Sequence, residues 1–311
     1  MRLHVLSAKY PNYDKISNSE LIGKINNMPT TYAHWRFGAD CIETLPDNLK
    51  QIINTNRAIY DYGVHGPDVL FYDLTHPNIP KYGSKLHHQP ARSFFEDCVR
   101  IYKENPEDKD KMLSYLLGFL SHYTLDSQCH GYINRKSQMT PDLSHNKVES
   151  EYDGHLMRLD GRSINHVDRS VSLIPDKKDA EVMSRFFPFN KKELYRTCKA
   201  HHFIIHALNC KSNFKRTVLG KTLEKLHLPA YRDLIVHNDE LDVCKDSNLR
   251  LDKLRAYALE LYPKLVENMM EAINDDQTLS SYFEHDFDPE APNSPVLSYE
   301  EELNYTPERI D

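Results

Sequence analysis

Glycine is sparse in this chain, 10 residues of 311, and tryptophan occurs once. So little glycine excludes a collagen-like or linker-dominated architecture, and 40% apolar with 27% charged residues fits a soluble globular protein. No stretch approaches the roughly 20 apolar residues of a membrane helix. The run LLGFL at 116–120 is soon broken by Ser121 and His122. The six cysteines, Cys41, Cys98, Cys129, Cys198, Cys210 and Cys244, contain no Cys-x-x-Cys pair. That argues against a thiolate zinc knuckle or a dense disulfide framework and reads as free thiols in a reducing cytoplasm. Positive charge is not in excess: the formal net charge is −7, so there is no global basic footprint for duplex DNA. The first residues, MRLHVLSAKYPNYDKISNSE, lack the apolar h-region and cleavage site of a secretory signal, so the expected compartment is the cytoplasm.

Histidine and tyrosine, by contrast, are plentiful, at 17 and 19 residues. Strand-like alternation is scarce and helical spacing recurs, which predicts an all-α fold. The pattern places helices near 36–45, 47–62, 94–103, 145–159, 177–187, 191–211 and 249–274, with a long structured loop from about 62 to 85. NPEDKDKM reads as a helix start, with Asn105 as the cap of a long helix carrying LLGFLSHYTLDSQCHGYI. Ser144 reads as the cap of the next. The chain divides into a polar extension at 1–27, one helical domain at 28–275 and an acidic tail at 276–311 packed on or near it.

On the long helix His122, Asp126 and His130 fall at i, i+4 and i+8, within an arc of about 80°. Gly118, one step earlier on that face, leaves room for a backbone or ligand. SHNKVESEYD repeats the spacing with His145 and Glu149, a pair suited to zinc on the next helix. TYAHWRFG adds His34, HGPDVLFYD adds Asp68 with His65 just before it, and GSKLHHQPARSFF adds His87 and His88. Each histidine alone reads as a hydrogen-bonded core or surface group; as a set they point to a metal. KAHHFIIHAL, with His201, His202 and His206, has no carboxylate at helical spacing and reads as a packed or surface face. Cys129 reads as a buried thiol.

The ordered set TYAHWRFG, HGPD, GSKLHHQPARSFF, FLSHYTLDSQCH and HNKVESEYD, over about 28–155, resembles the zinc-dependent phospholipase C family, whose fold is shared with single-strand-specific zinc nucleases. The resemblance implies an all-α domain with two or three zinc ions in a cleft. His122 and His87, or His88 in place of His87, resemble the imidazole ligands of one zinc, and Asp126 bridges it to a second that takes His34. His130, His145 and Glu149 resemble the ligand set of the remaining zinc. Asp68 would be a ligand or the base that orients the attacking water. Secreted members use a processed N-terminal Trp amine as a ligand; here the chain begins with Met1, and a start at Met28 would bring a terminal amine near His34.

The activity implied is zinc-dependent hydrolysis of a phosphodiester, at the head group of a phospholipid or on another small phosphodiester. The alternatives are a nuclease or phosphatase, with Tyr32, Trp35, Phe71 and Tyr72 as candidate stacking platforms, and a non-catalytic protein stabilised by metal.

Overall fold

The computed structural model describes residues 30–291 and 293–310, and every regular element among them is helical. The expected all-α fold is what forms. In chain order come α1 (Tyr32–Glu43), α2 (Asp47–Thr55), α3 (Arg57–Gly63) and a 3-10 turn (Gly66–Tyr72). α4 (Asn78–His87), α5 (Arg92–Glu104), α6 (Lys109–Met139) and α7 (His145–Leu159) follow. α8 (Lys177–Met183), α9 (Lys191–Leu208), α10 (Asn213–Lys225) and α11 (Pro229–Asp233) precede the long α12 (Lys245–Asn274) and the short α13 (Tyr299–Asn304). The polar extension at 1–27 and the terminal amine at Met28 lie outside the described residues.

The axis of the molecule is α6, in which every residue from Met112 to Ile133 is buried. A helix enclosed on all sides must satisfy its polar groups internally. Three of its hydroxyls do so on their own helix: Ser121 Oγ donates to Gly118 O at 2.7 Å, Thr124 Oγ1 to Leu120 O at 2.7 Å and Ser127 Oγ to Tyr123 O at 2.7 Å. α3 crosses α6 backbone to backbone. A Cβ on Gly118 would meet Tyr60 O at 2.5 Å, and one on Gly63 would meet Tyr115 O at 2.4 Å. The room Gly118 was expected to leave is thus filled by the α3 backbone. On another side α12 is fixed by Tyr262, whose hydroxyl donates to Leu117 O at 3.0 Å.

Several elements differ from the sequence expectation for identifiable reasons. The helix expected over 47–62 breaks at Asn56, whose amide donates back to Ile52 O at 3.0 Å and competes with the helical ladder. The segment 62–85 is not a plain loop but holds the 3-10 turn and most of α4. Asp108, in a left-handed conformation, rather than Asn105 precedes α6; the Asn105 amide instead closes α5 by donating to Ile101 O at 2.7 Å. α10 was not expected because Arg216 is its one buried residue, leaving no apolar stripe to read.

Residues after α12 run back across the bundle. Phe283 and Phe287 are fully buried, and α13 is held by a buried ion pair between Arg250 and Glu302. All six cysteines are buried free thiols. No described helix is long and apolar enough to cross a membrane.

Candidate metal centre

Five elements bring side chains to the buried lower half of α6. His122, Asp126 and His130 lie along the helix and are 1%, 1% and 8% exposed, so the i, i+4, i+8 face points inward rather than to solvent. α7 begins at the right residue because Ser144 caps it, its hydroxyl accepting from Lys147 N at 3.2 Å, and this sets His145 and Glu149 one turn apart. The 3-10 turn brings Asp68 onto α6. It starts at Gly66 with φ of +46°, where a Cβ would fall 2.2 Å from the His122 ring. His87 ends α4, and His34 comes from the first turn of α1.

Asp68, His87, His122 and Asp126 form one group and His130, His145 and Glu149 another, each with ligand atoms within 4.8 Å of one another. His87 Nε2 lies 2.9 Å from Asp68 Oδ1, and His122 Nε2 lies 2.9 Å from Asp126 Oδ2. The other oxygen of Asp126 faces away from this group, 3.4 Å from both His34 Nε2 and His130 Nε2. Asp68 Oδ2 is 4.0 Å from His34 Nε2. Glu149 Oε1 sits 3.2 Å from the Nε2 of both His130 and His145. His34, outside both groups, therefore stands where Asp68 and Asp126 present their second oxygens, its ring stacked on His122 at 4.5 Å.

All eight residues singled out from the sequence converge, and the His87/His88 ambiguity has a geometric answer. His87 turns inward, its Nδ1 donating to Gly83 O at 2.8 Å, whereas His88 is partly exposed with its Nε2 3.5 Å from Asp288 Oδ2. His65 is also buried but packs edge-on against His201 at 5.3 Å, outside both groups. His201 is buried and stacked on Tyr72, while His206 is exposed.

The donor set suits zinc: imidazole nitrogens and carboxylate oxygens, with no thiolate among them. His122 Nε2 and Asp126 Oδ2 are buried and adjacent yet make no hydrogen bond, and Glu149 Oε2 is likewise unpartnered among the described residues. Buried polar atoms normally have partners, so these are placed for a ligand the protein does not itself supply.

Charge at the centre is organised around the carboxylates. Burial favours the neutral form of Asp126, but His122, His130 and His34 outweigh it and hold the carboxyl well below its usual range. Glu149 is lowered in the same way, burial being overcome by His145 and His130. Burial disfavours the His130 cation, yet Asp126 and Glu149 raise its pKa to about 10. At His34 burial wins, and the pKa is lowered.

Two contributors were not singled out from the sequence. Asp153, one turn beyond Glu149 on α7, accepts from the backbone N–H groups of Thr31, Tyr32 and Ala33 at 3.3, 3.1 and 2.8 Å, capping α1 and so fixing His34. The signal was present, since 145, 149 and 153 share one face of α7. Asp288 lines the cleft beside His130 and His145, and nothing in its local sequence announces this.

A family model described as zinc dependent phospholipase C matches residues 33–200, more than half of the chain. No curated protein and no solved structure matches it.

Proposed function

The chain belongs to the zinc-dependent phospholipase C family, and from that premise we propose that it hydrolyses a phosphodiester, with the head-group linkage of a phospholipid as the substrate class. The observation that carries this reading is the convergence of five imidazoles and three carboxylates, of which Asp68, His87, His130, His145 and Glu149 line a cleft with Phe71, Ser84, His88, Asn146 and Asp288. In this assignment His87 and His122 hold one zinc together with Asp68 and Asp126. Asp126 turns its second oxygen to a site shared with His34, and His130, His145 and Glu149 hold a further zinc. Zinc bound there supplies a water of lowered pKa and offsets charge on the phosphoryl oxygens. Asp68 positions that water or accepts its proton. Phe287, packed against His87 and His122 at ring distances of 5.7 and 6.0 Å, excludes bulk water from the inner side. The hydrolase unit is 28–275, with the acidic segment from 276 laid against it.

The nuclease alternative receives less support from the aromatic residues. Of its four candidate platforms Phe71 lines the cleft, while Tyr72 is fully buried and Trp35 packs on Tyr32. With zinc loaded, the protein should cleave phosphatidylcholine in preference to single-stranded DNA and a nitrophenyl phosphodiester. His122→Ala should reduce that turnover by more than about 100-fold. No turnover on any of the three substrates would sink the proposal.

A further inference from the structure

The segment following α12 crosses α6 directly over the second group of ligands. Its path is fixed on both sides of Asp288. Phe287 is fully buried against Phe119 and Tyr123, at ring distances of 6.0 and 4.8 Å, and Asp288 N donates to His87 O at 3.1 Å. One and three residues after Asp288 the chain lies so close to α6 that a Cβ on Gly131 would meet Pro289 O at 3.2 Å and Ala291 Cβ at 2.7 Å. Gly131 follows His130 directly, so this close approach is what seats Asp288 beside the His130 ring.

Asp288 then faces the far nitrogen of His130 and is linked to that of His145 through Asn134. Its Oδ1 is 3.6 Å from His130 Nδ1, an ion-pair distance, and that buried nitrogen has no hydrogen-bond partner among the described residues. The same oxygen accepts from Asn134 Nδ2 at 2.5 Å, and Asn134 Oδ1 is 2.8 Å from His145 Nδ1. A carboxylate can only accept, so it forces the Asn134 amide to present Nδ2 to it and Oδ1 to His145. Facing that oxygen, the neutral His145 ring carries its proton on Nδ1, which leaves the Nε2 lone pair on the Glu149 side for a metal.

From this geometry we infer that Asp288 is a positioning residue for the zinc site of His130, His145 and Glu149. It orients His130 directly and sets the tautomer of His145 through Asn134. The role presupposes that this group binds zinc, as proposed above. A carboxylate behind a ligating imidazole fixes its ring and raises its basicity, and losing such a partner costs about 10–100-fold in metal affinity.

The test uses the full chain and zinc itself, titrated against a chelator of known affinity, with long-range 1H–15N spectra reading the imidazole tautomers. Asp288→Asn should keep the wild-type circular dichroism and lose about 10–100-fold in affinity at one class of zinc site while the tighter sites are unchanged. Asn134→Ala, at a half-buried position, should leave the His130 signal alone and give His145 a mixture of tautomers. Wild-type affinity and unaltered tautomers in both variants would overturn the inference. His145→Ala separates it from the reading beneath it. If that variant binds as much zinc as wild type, the zinc assignment of the group fails; if it loses zinc and Asp288→Asn does not, the role of Asp288 alone fails.

Discussion

Asp153 shows how one side chain can govern a neighbouring helix without touching the chemistry. It is completely buried, accepts three backbone N–H groups at the start of α1 and lies 3.7 Å from the Arg169 guanidinium. Burial raises its pKa, opposed by Arg169 and by those backbone donors. Asp153→Ala strands the three donors and the buried cation together. It should lower unfolding free energy by about 3 kcal/mol, read as a fall in the urea midpoint with unchanged slope. The same variant should weaken whatever His34 holds, because the first turn of α1 loses its anchor. An unchanged midpoint would show that water replaces the carboxylate at no cost.

At the level of elements, the crossing of α3 over α6 is the contact most sensitive to a single methyl group. Gly118→Ala gains about 1 kcal/mol of helix propensity but drives a Cβ into Tyr60 O, and the net effect should be a loss of about 2 kcal/mol in thermal or denaturant unfolding. A neutral result would mean that α3 can slide. Element legibility in the sequence followed local signals. α7 could be placed from Ser144 and the spacing of His145 and Glu149, and the site-bearing half of α6 from its i, i+4 pattern. α4 could not, because Pro80 and Gly83 read as loop residues while their places are set by packing: Gly83 faces Leu70 and the Pro67 carbonyl. α10 lacked an apolar face. The converging histidines and carboxylates were legible because metal chemistry restricts residue type and spacing, whereas Asp288 reaches the centre through a chain crossing that no local pattern encodes.

For the molecule as a whole, the question is whether bound zinc would hold the fold or be held by it. The apolar core runs continuously from α1 through α12 and includes Phe283 and Phe287, so the bundle has its own source of stability. Chelation should therefore leave helical circular dichroism in place and lower the melting temperature only by the binding free energy lost. That loss is about 3 kcal/mol for a site at a hundredfold excess of zinc over its Kd. Collapse of the helical signal on chelation would mark the metals as structural instead.

The return of the chain across the centre also has a consequence in time. Synthesis delivers His34 through Glu149 first, and Phe287, the residue that closes the inner wall against His87 and His122, more than a hundred residues later. At roughly 5–20 residues per second, these side chains wait on the order of ten seconds for that wall. Until then the nascent bundle carries its imidazoles and carboxylates open to water, and the centre is finished only once the segment around Phe287 has been made and packed.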